Sequence, residues 1–249
     1  MRKMWQAKIF RYQRDHTQSF HRIVDGEEKT GILTYYENHV YMDSDFVPAG
    51  SVQYITRDSL LAKYRRDMDR VDRRFDILRA WGVLPTRNCH ILDLGCGYGA
   101  FIAQWMAHGF GHAYGIELSS AARQVSPVSS HIMWGDVNRA DSLPIPGELS
   151  MIVALDVIEH LFDVKQVLKT LYRKTGPRLK MLIEIPIVKP GIDTEALARY
   201  KYLYPTRHLH LYTPCGIEQT LCECGYRLLQ SEMLKDGNKC LMLIEKEEL

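Results

Sequence analysis

The sequence predicts an open α/β fold, a mostly parallel sheet with helices on both faces, and three observations carry that prediction. After residue 88, short apolar β-rich runs alternate with helical or mixed stretches, the pattern of a layered α/β domain. The first run passes straight into a glycine-rich turn, "HILDLGCGYGAF" at 90–101, where a strand should hand over to a helix. The last two runs are separated only by "LKDGN", whose Asp236-Gly237 pair is a hairpin turn signal.

Taken in order, residues 1–30 give no definite element, and "GILTYYENHVYM" at 31–42 reads as a hairpin turning near Glu37-Asn38. Leu60, Leu61, Tyr64, Met68, Val71, Phe75 and Leu78 recur at three-to-four spacing, which makes Arg57–Trp81 one long amphipathic helix. Its basic residues Lys63, Arg65, Arg66, Arg70, Arg73 and Arg74 are interleaved with Asp67, Asp69, Asp72 and Asp76, the mixture of a solvated face. Strands are expected at His90–Leu94, Ala113–Glu117, His131–Trp134, Leu149–Leu155 and Leu179–Ile187, joined by crossovers, with a helix at Ala100–Ala107. Tyr226–Met233 and Lys239–Glu245 complete the sheet as an antiparallel hairpin. The division is thus an N-terminal helical and hairpin extension at 1–80 and a main domain at 81–249 with an insertion at 188–212.

At 249 residues and 46% hydrophobic content, the chain can bury a full core. Its 32 Lys and Arg against 30 Asp and Glu leave a net charge of +2, which argues against a dedicated nucleic-acid binder. No window approaches about 20 consecutive apolar residues and the first residues lack a secretion signal's apolar core, so a cytoplasmic protein without a membrane span is expected. The six cysteines are scattered, and Cys222 and Cys224 read as buried free thiols rather than metal ligands.

Glycines after a strand can simply make a tight turn. Here Gly95, Gly97 and Gly99 follow a strand that carries Asp93 and open a helix, which lets the backbone approach a ligand at the carboxyl edge of the sheet. The spacing G-C-G-Y-G puts the third glycine one position early for the G-x-G-x-x-G dinucleotide fingerprint, and no G-x-x-x-x-G-K-[ST] phosphate loop is present. Glu117 ends the second strand about 20 residues on, where a carboxylate accepts both ribose hydroxyls of an adenosine. Asp136 closes the third strand in "IMWGDV", toward an adenine amino group, and "IVALDVIEHL" ends the fourth with Asp156, Glu159 and His160. Each of these acids also suits a cap or turn.

At these residues the chain resembles the class I S-adenosylmethionine-dependent methyltransferases, in particular the group of ubiquinone-biosynthesis O-methyltransferases and small-molecule and sugar methyltransferases. "ILDLGCGYGAF", "YGIELS", "GDV" and "LDVIEHL" are similar to the family's four successive motifs, and "YRLLQSEM" with "KCLMLIEK" to its ending. The resemblance covers about residues 80–245. It implies a Rossmann-like seven-stranded sheet with the last strand antiparallel, S-adenosyl-L-methionine as cofactor and S-adenosyl-L-homocysteine as product. It also implies that Asp93, Gly95, Gly97 and Gly99 surround the methionine part, that Glu117 takes the ribose hydroxyls, that Asp136 with the Val137 backbone frames the adenine, and that Cys96, Leu118 and Asp156 complete the cofactor set.

The acceptor side is less determined. A hydroxyl acceptor needs a base. His160 is one candidate, although it also suits support of the pocket or the helix start. The insertion at 188–212, with Arg199, Tyr200, Lys201, Tyr202, Tyr204, Arg207, His208, His210 and Tyr212, suits stacking on a sugar, base or aryl ring while pairing an anionic group. In "HLHLYTP", Thr213 caps the next helix with Pro214 in its first position, and the family resemblance makes His208 or His210 the preferred base. Alternation alone would put both histidines on one side while Leu209 and Leu211 pack inward. Two histidines at i and i+2 without a third ligand make no metal site, so none is expected.

These features together point to O-methylation of a small molecule, such as a sugar or nucleotide sugar. Position 157 is Val, where amine-methylating relatives carry Pro in a (D/N)-P-P-(Y/W) element. Two rivals stay open: an RNA or DNA methyltransferase using residues 1–23 and the 57–81 helix, and a non-catalytic cofactor-binding subunit. The first 80 residues, with Tyr35, Tyr36 and Tyr41, serve as an acceptor lid or a homodimer face.

Overall fold

The computed structural model describes residues 12–42, 45–48, 57–84, 88–145, 148–204, 206–235 and 237–247. Asp236 of the expected turn and the first eleven residues lie outside that range, as do the side chains of Tyr41, Leu60 and Leu61. In chain order the strands and helices are β1 (Gln13–Arg14), β2 (Phe20–His21), α1 (Gly26–Glu37), β3 (His39–Met42), β4 (Asp45–Pro48), α2 (Arg57–Ala80), β5 (Ile91–Leu94), α3 (Ala100–Ala107), β6 (Ala113–Glu117), α4 (Ser120–Val125), β7 (Ile132–Trp134) and β8 (Met151–Leu155). They continue with α5 (Val164–Lys174), β9 (Lys180–Pro186), α6 (Thr194–Ala198), β10 (His210–Leu211), α7 (Pro214–Cys222), β11 (Tyr226–Met233) and β12 (Lys239–Lys246).

Seven strands form one sheet in the order β11-β12-β9-β8-β5-β6-β7. β5 runs parallel to β6 and β8, β6 parallel to β7, and β12 antiparallel to both β9 and β11. This is the expected Rossmann-like sheet with an antiparallel last strand. Strand β9 reads KMLIEIP and is buried from Met181 to Pro186, the continuous apolar run of a strand covered on both faces. By contacts, the chain divides into two compact units, Leu33–Val153 and a second that joins the described residues up to Ile32 to Ala154–Leu249.

In the unit of Leu33–Val153, α2 buries Val71, Phe75 and Leu78 as the three-to-four spacing predicts. Phe75 stacks on Phe101, His108 and Phe110 with ring centroids 5.2, 4.6 and 5.9 Å away. The charged face is not wholly solvated, however. Lys63 and Arg74 are only 4% and 7% exposed. Lys63 pairs with Asp67 four residues on and lies 5.6 Å over the Tyr98 ring, which compensates its ammonium for lost water. The expected hairpin at 31–42 is likewise corrected. Residues 26–37 are helical, and His39–Met42 pairs instead with Asp45–Pro48. Asp25 accepts the Glu28 N–H at 2.8 Å, and Glu27 and Glu28 in the first turn suit the helix dipole, a start signal that outweighs the β preference of Tyr35 and Tyr36.

In the other unit, α5 begins at Asp163, which accepts the Gln166 N–H at 2.9 Å, and buries Val164, Val167, Leu168 and Leu171 on one face. The 188–212 segment has a small core of its own, in which Val188, Leu197, Leu203 and Leu211 pack with Tyr12 and Phe20. Short β2 pairs antiparallel with β10, which ties the segment to the N-terminal strands. Cys224 is buried as expected, but Cys222 is exposed near the end of α7. Among the described residues no helix is long and apolar enough to cross a membrane.

Thr213 joins three pieces of this unit. Its hydroxyl accepts the Gly216 N–H at 3.1 Å to cap α7, with Pro214 behind it, and donates to the Thr17 carbonyl at 2.8 Å. Its own N–H donates to Ser19 Oγ at 3.0 Å, and its side chain is fully buried. Loss of a cap costs ~1 kcal/mol and a buried partner left unpaired costs ~1–3 kcal/mol. Thr213→Ala is expected to lower the unfolding free energy by about 2–4 kcal/mol in urea titration, whereas Thr213→Ser, which keeps the hydroxyl, should lose well under half of that.

Candidate active site

In the unit of Leu33–Val153 the glycine loop adopts three left-handed residues at alternate positions, Gly95 (φ 62), Gly97 (φ 55) and Gly99 (φ 77). A Cβ on Gly99 would lie 2.5 Å from Val128 Cγ2, so that position is closed by packing as well as by φ. Gly97 differs, because a Cβ there meets nothing within 4 Å. Its left-handed backbone faces open space.

Glu117 holds this loop from the neighbouring strand. The Gly97 N–H donates to Oε2 and the Ser119 N–H to Oε1, each at 2.8 Å. Each oxygen keeps a further lone pair, so the carboxylate is oriented yet able to accept two more donors. Burial pushes its pKa up, against the pull of the Ser119 and Gly97 N–H groups. Asp93 is buried, and burial together with the nearby Glu117 raises it well above the carboxylate range.

The other sequence candidates in this unit fall around that pair. Cys96 turns its thiol toward the sheet, where a Cβ on Gly115 would lie 2.4 Å from Sγ, and burial raises it well above the thiol range. Leu118 is half-buried. Asp136 caps the short 3-10 helix at Val137–Ser142, accepting the Asn138 N–H and Nδ2–H at Oδ1 over 2.9 and 3.0 Å. Val137 is buried beside it.

The remaining candidates belong to the other unit. Asp156, directly after β8, has φ 58, and its N–H donates to the Glu184 carbonyl at 2.9 Å. Both of its carboxylate oxygens accept from Lys239 Nζ, at 2.5 and 2.6 Å. That ammonium lies 3.4 Å from Glu184 Oε1 and 5.1 Å from the Tyr202 ring centroid. Lys239 and Glu184 escape sequence reasoning. The available signal was a charge at the start of, or inside, an otherwise apolar run, which is costly unless paired.

A 3-10 turn at Ile158–His160 is stitched to the segment before α7 by three hydrogen bonds. The Leu209 N–H donates to the Glu159 carbonyl at 2.7 Å, His160 Nδ1 to the Arg207 carbonyl at 2.8 Å, and His210 Nε2 to the Leu161 carbonyl at 2.8 Å. Because a carbonyl only accepts, these contacts fix the tautomers of both rings. His210 uses its second nitrogen as well, 2.9 Å from His21 Nδ1, and His21 Nε2 reaches Asp15 at 3.0 Å. All four residues from His208 to Leu211 are buried, so neither side of the segment is left to solvent.

His208 is different. Its ring is 8% exposed, and its Nδ1 has no hydrogen-bond partner among the described residues. It stands edge-on to His160 with centroids 4.7 Å apart, and among Tyr202 and Tyr204 at 6.2 and 5.2 Å. Burial, then the neighbouring His160, holds His208 well below the ordinary imidazole range, and burial holds His160 at about 4. Glu159 is 1% exposed, and burial followed by Asp156 raises it well above the carboxylate range. The structure therefore brings His160, His208 and Glu159 together and places His210 in a separate chain with His21 and Asp15.

A family model described as a methyltransferase domain matches residues 52–231. No curated protein matches the chain. Among solved structures, the magnesium protoporphyrin IX methyltransferase of Synechocystis PCC 6803 with bound S-adenosylhomocysteine is 18% identical, over 72% of this chain and 83% of its own, with a TM-score of 0.51. An S-adenosylmethionine-dependent methyltransferase of Mesorhizobium loti is 19% identical over 69% and 96%, with a TM-score of 0.50. The cyclase SpnF is 14% identical over 71% and 81%, with a TM-score of 0.56. At these identities the likeness shows the fold, and a fold that also hosts a cyclase does not name a reaction. The family match does, since it covers most of the chain and includes both the glycine loop and Glu117: the chain belongs to the methyltransferase-domain family and is a class I enzyme that uses S-adenosylmethionine.

Proposed function

We propose that this methyltransferase acts on a hydroxyl group of a small polar molecule, a sugar or nucleotide sugar in the first instance. The observation that carries this reading is His208, a buried neutral imidazole with an unpartnered nitrogen, set among Tyr202, Tyr204 and His160. A hydroxyl must lose a proton as it attacks, and a neutral imidazole accepts one. Tyr204 is 39% exposed with the Arg207 guanidinium 5.1 Å over its ring, a surface on which a planar or ring-shaped acceptor with an anionic group would rest. An RNA acceptor finds less support, because Lys63 and Arg74 of the α2 basic stripe are buried.

The loop residues fit the cofactor. Open space at Gly97, two remaining lone pairs on Glu117 and the acid Asp93 match a ligand with ribose hydroxyls and a cationic end but no phosphate. When bound, the cofactor supplies a methyl group activated by a sulfonium. In this proposal Glu117 accepts the ribose hydroxyls, Gly97 and Gly99 allow close approach, Asp93 faces the cationic end, and Asp136 with Val137 and Leu118 borders the adenine. Gly95 and Cys96 shape the turn. Asp156 acts through Lys239, since both its oxygens face that ammonium. His208 meets the acceptor, and His160 and His210 position its segment through their carbonyl contacts. Most of the rate gain then comes from orientation of the two reactants.

Glu117 binds ribose hydroxyls as the carboxylate, and its raised pKa means that it takes up a proton at a higher pH than an ordinary glutamate. Calorimetric titration with S-adenosylhomocysteine is therefore expected to show affinity falling with decreasing pH, beginning at a higher pH than protonation of an ordinary glutamate would give. Glu117→Gln should bind about 10- to 100-fold more weakly at neutral pH, from the loss of charge-assisted hydrogen bonds, and should lose that acid limb.

A screen of hydroxylated acceptors, read by S-adenosylhomocysteine release, tests the reaction itself. His208→Ala is expected to lower kcat by roughly 10²- to 10⁴-fold while leaving S-adenosylhomocysteine affinity unchanged. Full kcat in that variant would remove His208 from the chemistry.

A further inference from the structure

Glu159, His160 and His208 each offer a ligand atom, and among the described residues these atoms all lie within 4.8 Å of one another. The sequence conceals the set, because His208 is remote in the chain and the two-residue spacing of His208 and His210 draws the eye to the wrong pair. Two details make this proximity a site. His160 Nδ1 donates to the Arg207 carbonyl, so its lone pair is on Nε2, 3.9 Å from Glu159 Oε1. A backbone carbonyl on one imidazole nitrogen is how proteins aim the other at a metal ion.

The second detail is what the cluster lacks. Both carboxylate oxygens of Glu159, 1% exposed, and Nδ1 of His208 have no hydrogen-bond partner among the described residues. Buried polar atoms are nearly always paired. Three unpaired atoms in one cluster, two of them the oxygens of a carboxyl group that is acceptor-only when ionised, are satisfied together by a cation. The charged groups that face the cluster are Asp156 and Glu184 on the acidic side and Lys239 and Arg207 on the basic side, with Lys239 already held by Asp156. The Leu209 N–H to Glu159 carbonyl bond fixes the two ligand segments against each other.

We propose that Glu159, His160 and His208 hold a divalent transition-metal ion of the zinc type. Two imidazoles and one carboxylate form a donor set that zinc favours. Ligand atoms about 2.0–2.2 Å from such an ion in tetrahedral geometry lie roughly 3.3–3.6 Å apart, so separations of up to 4.8 Å in the cluster have to shorten by up to about 1.5 Å. Three protein ligands leave a coordination position open to water or to an acceptor oxygen, and in the metal-loaded protein His208 would be a ligand rather than the proton acceptor proposed above.

The test uses full-length protein stripped with EDTA, dialysed against limiting zinc chloride and analysed for metal by mass spectrometry, with cobalt(II) substitution for the visible spectrum. One zinc per chain is expected, and with cobalt the weak d–d bands of nitrogen and oxygen ligands. His208→Gln and Glu159→Gln should each weaken zinc binding by about 100-fold. S-adenosylhomocysteine titrated into the same wild-type preparation reports the cofactor reading separately, because its failure leaves the zinc result standing. The proposal is overturned if wild type with a native circular dichroism spectrum takes up no zinc, if cobalt shows a thiolate charge-transfer band, or if folded variants bind zinc as wild type does. Should either variant fail to fold, the wild-type stoichiometry and cobalt spectrum decide.

Discussion

The tie between Glu117 and the glycine loop is the interaction on which the unit of Leu33–Val153 depends. The loop holds three left-handed residues, and one of its own N–H groups, that of Gly97, ends on the Glu117 carboxylate together with the N–H of Ser119. Glu117 thereby sets the position of Gly97 and the start of α4 together, because Ser119 both donates to Glu117 and caps that helix by accepting the Ala122 N–H. The same hydroxyl of Ser119 donates to the His39 carbonyl at 2.8 Å, which carries the tie on to the β3–β4 hairpin. A single side chain thus links β6, the loop, α4 and, through Ser119, part of the N-terminal extension.

In the other unit the corresponding constraint is buried charge. Glu184, fully buried, and Glu159 stand near Asp156, and one ammonium, Lys239, answers Asp156 directly. Charges withdrawn from water cost several kcal/mol each unless paired. Burial raises Glu159 and depresses the imidazoles of His160 and His208, so withdrawal from water disfavours the charged form of each. That is an expensive arrangement to keep for packing alone, and it is of a piece with a site that handles a proton or a cation.

The histidines divide by what their nitrogens meet. His210 spends both on its neighbours, His160 Nδ1 holds a carbonyl, and His208 Nδ1 has no hydrogen-bond partner among the described residues. The proposed acceptor chemistry and the proposed metal site each draw on that one nitrogen of His208, the first when no ion is bound and the second when one is. They also account for the dense stitching of 207–210 onto 159–161, since a reacting or ligating group is useful only if its backbone does not drift.

Local signals in the sequence sufficed for much of the fold. Ala113–Glu117, Tyr226–Met233 and Ala100–Ala107 occupy the expected spans, because periodicity and the glycine punctuation agree there. Thr213 caps α7 for an equally local reason. The 31–42 hairpin misled because Tyr35 and Tyr36 favour strands while the decisive helix start at Asp25 lies upstream of them. What no local pattern holds is the company of a side chain. That Asp156 meets Lys239, that Lys63 is buried, and that His160 and His208 rather than His208 and His210 stand together are decided by which strands are neighbours in the sheet and which segments are laid across their ends. The sequence by itself determined the family, the glycine loop and the order of the strands along the chain. The tertiary structure alone decided which histidine keeps a free nitrogen, because a hydrogen bond between distant residues depends on their distance in space and leaves no mark on their spacing in the chain.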